Sequence, residues 1–95
     1  MTYLTTATGR SIPCDSVIKA SVLDYLTIHT GSLSRIEIDT VFDNPAETER
    51  LTAITVENET NVTQVYTGYT VLDTVQLSPF YPGHLMIWLR RPEEV

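Results

Sequence analysis

The stretch Gln64-Val65-Tyr66-Thr67-Gly68-Tyr69-Thr70-Val71-Leu72 constrains the fold more than any other part of the chain. It is dense in β-branched and aromatic residues. Its odd positions Val65, Tyr69 and Val71 continue at Val75 and Leu77, and the even positions Gln64, Thr70, Thr74 and Gln76 are mostly polar. A period of two with those residue types reads as a half-buried strand rather than a helix. The expected class is therefore mainly β within α+β: a small antiparallel β sandwich or barrel-like sheet with one short helix.

Other segments extend this reading. Residues 1–6 and 11–14 form a first hairpin around the turn candidate Ala7-Thr8-Gly9-Arg10, and Pro13 suits an edge strand. Residues 15–30 fit two patterns. Val17, Ile18, Ser21, Val22, Tyr25 and Leu26 make a helical stripe, with Asp15 or Ser16 as N-cap, yet Ile18, Ala20 and Val22 alternate, as do Leu26 and Ile28. The β-branched content favours a hairpin turning near Asp24-Tyr25, followed by a loop at 29–32. The short helix is expected at 34–42. Ser34 and Glu37 match a capping box there, and Leu33 with Ile38 a hydrophobic staple. Asn44-Pro45-Ala46-Glu47 repeats the start logic and allows one or two further turns. Beyond it, 51–56 reads as a strand, 57–61 as a turn, 62–72 as the return and 78–83 as a proline-bounded loop. The last strand, 84–90, is apolar on both faces. Leu85, Ile87 and Leu89 lie on one, Met86 and Trp88 on the other.

Ninety-five residues support one domain, 1–95, burying roughly 60–65% of the unfolded surface. No apolar run reaches the ~20 residues of a membrane-spanning helix. Residues 1–6 lack the basic and apolar segments of a signal peptide, so Sec export is not expected. The net charge of −6 argues against direct nucleic-acid binding, which needs clustered Lys and Arg. It suits a solvated surface or docking on a basic partner.

Chemistry-bearing patterns are sparse. Cys14 is the only cysteine, so an internal disulfide is excluded and a buried thiol expected. His29 and His84 have no ligand-spaced companions, and each reads as structural or surface-lying. Glu37, Asp39, Asp43, Glu47 and Glu49 cluster without the spacing of a calcium loop. No nucleophile elbow or phosphate loop occurs. Catalysis, a metal and a cofactor are not expected. The candidate residues are instead those of a protein interface: Met86, Trp88, Tyr66 and Tyr81. Tyr and Trp are enriched at contact hot spots, and a strand apolar on both sides needs a second cover. A segment near 34–50 of the same chain, or another subunit, would provide it.

Three segments together resemble a family. Thr5-Thr6-Ala7-Thr8-Gly9-Arg10 with Cys14-Asp15, then Val41-Phe42-Asp43-Asn44-Pro45-Ala46-Glu47-Thr48, then Tyr66-Thr67-Gly68-Tyr69-Thr70 resemble, in order and spacing, small proteins encoded in bacteriophages and prophages of Gram-positive bacteria. The likeness covers roughly residues 5–75 and none of its motifs is catalytic. Such proteins are encoded near tail and baseplate components. The resemblance therefore implies a virion accessory or assembly role, in the virion or the infected cell's cytoplasm, with phage structural proteins or further copies of the chain as partners. The acidic charge suggests the alternative, an inhibitor of a host defence protein that blocks a basic site on its target.

Overall fold

The computed structural model describes residues 2–19, 24–57 and 60–92. The chain runs β1 (Thr2–Thr5), β2 (Ser11–Cys14), β3 (Ser16–Lys19), β4 (Tyr25–Thr30), α1 (Arg35–Phe42), α2 (Pro45–Thr48), β5 (Arg50–Glu57), β6 (Thr60–Thr67), β7 (Val71–Leu77) and β8 (Leu85–Arg90). The strands form two antiparallel four-stranded sheets. Sheet A has the order β2-β1-β5-β6 and sheet B the order β3-β4-β8-β7. The fold is thus the small β-rich α+β type expected.

Two bent connections knit the sheets at both flanks. β2 lies at the edge of sheet A and β3 at the edge of sheet B, with only Asp15 between them. At the other flank β6 and β7 are likewise edges of different sheets, joined through residues 68–70. Strands that pass between packed sheets through bends are the usual way to make such corners. Between the sheets lies one core, with Leu4, Ile12, Leu51 and Ala53 from sheet A against Leu26, Ile28, Ile87 and Leu89 from sheet B.

The helices connect β4 to β5 and begin where the residue types require. Ser34 caps α1 by accepting from the Glu37 N–H at 3.2 Å, while the Glu37 carboxylate accepts from the Ser34 N–H at 3.1 Å, the reciprocal capping box. Asn44 caps α2, with Pro45 in its first turn. Ile38, Val41 and Phe42 enter the core beside the sheet residues.

Four expectations need correction. Residues 62–72 are not one strand. Gly68, at φ +83°, ends β6 after Thr67 and turns the chain into the other sheet. The apparent stripe Val65-Tyr69-Val71-Val75-Leu77 therefore straddles a corner and also an irregularity between Leu72 and Thr74, where one extra residue shifts the register against β8. Tyr66 packs toward the core while Val65 is half-exposed. Tyr69 is fully buried in the corner, and Leu77 is exposed at the end of β7. Secondly, the 15–30 segment is the hairpin β3–β4, but Tyr25 already belongs to β4 and Lys19 faces Leu26, so the reversal lies before Tyr25. Residues 20–23 lie outside the described residues. Thirdly, His29 and Thr30 are strand residues of β4 rather than loop, because both lie opposite β8 residues in the pairing. Finally, the core cluster joined by α1 includes neither Met86 nor Trp88, so the helical segment covers the inner faces of the sheets and not the outer face of β8.

Candidate functional surface

β8 is an interior strand of sheet B, paired with β4 and β7. Alternation sends Leu85, Ile87 and Leu89 inward and Met86, Trp88 and Arg90 outward. The register sets these outer residues in rows across the sheet. Ile18, Thr27, Trp88 and Thr74 form one row, and Ser16, His29, Met86 and Gln76 the next. Trp88 is half-buried. The Tyr25 ring meets it edge-on at 5.4 Å and 62°, the geometry that ring quadrupoles favour. The indole N–H is buried without a hydrogen-bond partner among the described residues. Ile18, in the same row, is half-exposed.

Met86 differs from Trp88 in being buried, at 7% exposure. The 78–83 loop folds back over this end of the outer face. The Ser78 N–H donates to the His84 carbonyl at 2.9 Å. The Ser78 hydroxyl oxygen accepts from the backbone N–H groups of Phe80 and Tyr81 at 3.3 and 3.2 Å, and lies 2.9 Å from His29 Nδ1. Two accepted bonds occupy both lone pairs, so the hydroxyl proton points at Nδ1 and the proton of the neutral imidazole sits on Nε2. The rings of Phe80 and Tyr81 stand 5.7 and 5.6 Å from the His29 ring. Burial holds the His29 pKa below the ordinary histidine value, against a smaller opposing pull from Asp15. Phe80 remains 72% exposed on the outside of this cover.

Three of the four candidate interface residues thus come together: Met86 and Trp88 side by side on β8, and Tyr81 over His29, the register neighbour of Met86. Tyr66 does not join them. It lies in β6 of the other sheet, packed toward the core with its ring 6.3 Å from Tyr69. Tyr25, Ile18 and Phe80 complete the surface; Phe80 is one of the aromatics the sequence offers for a contact surface, whereas Tyr25 and Ile18 were not singled out. Their signal was available: Tyr25, Thr27 and His29 alternate with Leu26 and Ile28, and once those two are inward, Tyr25 must share the face of Trp88.

A second cluster forms where β2 passes into β3. Asp15 hydrogen-bonds His84 Nδ1 through Oδ2, and its backbone N–H donates to the His29 carbonyl at 2.7 Å. Pro13, Cys14, Gly31 and Ser32 line the same cleft. The His84 ring lies so close to Gly31 that a Cβ there would sit 2.6 Å from it. The Thr30 and Ser32 hydroxyls both donate to the Pro13 carbonyl, at 2.9 and 3.0 Å. The Cys14 thiol is pushed up to about 12, first by burial and then by the Asp15 charge, so it stays protonated at neutral pH. This arrangement ties strands together; its hydroxyls are engaged with a backbone carbonyl rather than with the imidazole.

The carboxylate run separates into distinct tasks. Glu37 caps α1, and Asp39 pairs with Arg35 at 3.2 Å. Glu47 accepts from the Thr8 hydroxyl at 2.6 Å and faces Arg10 at 3.6 Å. Hydrogen bonds from Thr8 and Thr6 hold the Glu47 carboxyl below the usual carboxylate range. Among the described residues no three of His, Cys, Asp and Glu are grouped to hold a metal ion, and no helix is long and apolar enough to cross a membrane. Comparison with protein-family models, with curated proteins and with solved structures finds no match to this chain.

Proposed function

We propose that this chain is a non-enzymatic bacteriophage protein that works by protein–protein contact, as an accessory or assembly component of the tail or baseplate. The observation that carries the contact reading is the outer face of sheet B. There Trp88 and Tyr25 meet edge to face on an interior strand pair, flanked by half-exposed Ile18 and by Phe80 at 72% exposure. Aromatic anchors on a fixed scaffold are what interface centres are made of. The polar clusters support the same reading from the other side, because His29, His84 and Cys14 are each engaged in holding the fold. Partners in this reading are other phage structural proteins or copies of the chain, and its place is the particle or the infected cell.

The net charge of −6 favours a second reading, an acidic inhibitor that blocks a basic site on a host defence protein. One experiment separates the two. Mass spectrometry of purified particles from a culture expressing the gene should find the chain at fixed stoichiometry. Replacing Trp88 with Ser should deplete it from particles while the folded protein persists in the lysate. Absence from particles, with co-purification of a host nuclease, would establish the inhibitor instead.

A further inference from the structure

We propose that the open edge of β6 is a self-association seam, along which two copies pair their β6 strands antiparallel about Thr63. Sheet A then continues across the two-fold axis as one eight-stranded sheet. This goes beyond the contact face of sheet B and lies on the other sheet.

The direction of each backbone group on β6 follows from one bond. Gly68 N–H donates to the Glu49 carbonyl at 3.1 Å, so that pair is hydrogen-bonded. Stepping by two along the ladder, Leu51–Tyr66, Ala53–Gln64 and Thr55–Val62 are also the bonded pairs. The intervening residues Asn61, Thr63, Val65 and Thr67 must turn their N–H and C=O groups away from β5. The Thr67 carbonyl confirms this direction: it accepts from Arg91 Nε at 3.2 Å, outside the sheet. Arg91 closes that end, and Asn61, Thr63 and Val65 form the open stretch among the described residues.

The other edges are guarded. β2 carries Pro13, which has no N–H, and its carbonyl is taken by two hydroxyls. β3 is four residues long, and β7 is broken by its irregularity near Asp73. Proline, shortness and bulges are the devices that keep edges from pairing. β6 has none of them. Its eight residues TNVTQVYT include no charge and no proline.

The occupant is a second copy because the strand is complementary to itself. Pairing about Thr63 sets Thr63 against its own symmetry mate and Val65 against Asn61, each pair exchanging both backbone bonds. Threonine pairs across strands are favourable. On a chain of net charge −6, an uncharged strand is where two copies approach without opposing carboxylates. Val65 and Val62, about half-exposed on opposite faces, gain cover from an added strand.

Sedimentation of the full chain over a concentration series, read with residue-resolved hydrogen exchange, tests this. The expected result is a dimer at high concentration in which the Thr63 and Val65 amides become protected, while Val62 and Gln64 are protected at every concentration. Thr63→Pro removes an outward N–H only and should yield a monomer with an unchanged circular dichroism spectrum. Should that variant not fold, Val65→Lys, on an exposed position, should weaken dimerisation at least tenfold. A wild type that stays monomeric overturns the proposal. So does a dimer whose Thr63 and Val65 amides exchange freely, or one that survives Val65→Lys and is lost with Trp88→Ser.

Discussion

At the β2–β3 flank the chain crosses between sheets in one residue, Asp15, and polar side chains do the closing: Asp15 on His84, Thr30 and Ser32 on the Pro13 carbonyl. At the β6–β7 flank it takes three residues, and an aromatic side chain does it. Tyr69 is fully buried, donates its hydroxyl to Asp24 at 2.6 Å, and carries the Arg91 guanidinium 4.7 Å from its ring centroid. Burial and the bond to Asp24 push the Tyr69 hydroxyl up to about 12. The polar flank leaves an edge with no backbone donor at Pro13 and a capped carbonyl. The aromatic flank fills its corner but leaves β6 open. A corner can therefore be well packed while the edge beside it stays available for pairing, since packing and backbone hydrogen bonding are separate requirements.

The comparison breaks most severely at Tyr69. Tyr69→Ala empties the corner and should cost about 3–5 kcal/mol, the range for removing a large buried aromatic, seen as a lower urea midpoint. A loss under ~1 kcal/mol would mean the aromatic flank is held by something else.

Two glycines test the flanks separately. Gly68→Ala forces a Cβ onto φ +83° and should cost about 1–2 kcal/mol from backbone strain alone, because the nearest side-chain atom would be 3.5 Å away. Gly31→Ala has no such strain but drives a methyl into the His84 ring. It should displace His84 from Asp15, visible as a shift of the His84 imidazole resonances by NMR. Unmoved His84 resonances would show that the polar flank tolerates the intrusion.

Acid should loosen the loop over sheet B. The folded pKa of His29 is lowered, so the unfolded chain binds the proton more readily. Its contribution is present above the unfolded histidine value of 6.5 and is lost as the pH falls below it towards the lowered value. The urea midpoint should fall over this window, and His29→Gln should flatten the slope. An equal slope in the variant would assign the effect elsewhere. The smallest effect is expected for Asp15→Asn, whose partner His84 is more than one-third exposed; it should stay within ~1 kcal/mol.

Each of the three segments around residues 5–15, 41–48 and 66–70 has a structural task. The Ala7 N–H and Thr8 hydroxyl bond Glu47, tying the first turn to α2. Gly68 and Tyr69 make the second corner, and Asp15 the first. Residues that set turns, caps and corners are sufficient to account for these motifs, and none of them lies on the face that carries Trp88.

What the sequence determined by itself was local. The capping box at Ser34 and Glu37, the Asn44-Pro45 start, the hairpins and the two-sided apolar character of β8 follow from hydrogen-bonding groups, fixed φ values and alternation within a few residues. Tertiary structure decided the rest. A period of two cannot reveal that Gly68 hands the strand to another sheet or that an extra residue near Asp73 reverses which positions of β7 face inward, so the stripe from Val65 to Leu77 looked continuous. The pairing of Asp15 with His84 joins residues far apart in the chain, and so does the return of the 78–83 loop over His29. The open edge of β6 belongs to the same class, because whether a strand's outward amides meet a neighbour is a property of sheet order, which alternation along one strand does not encode.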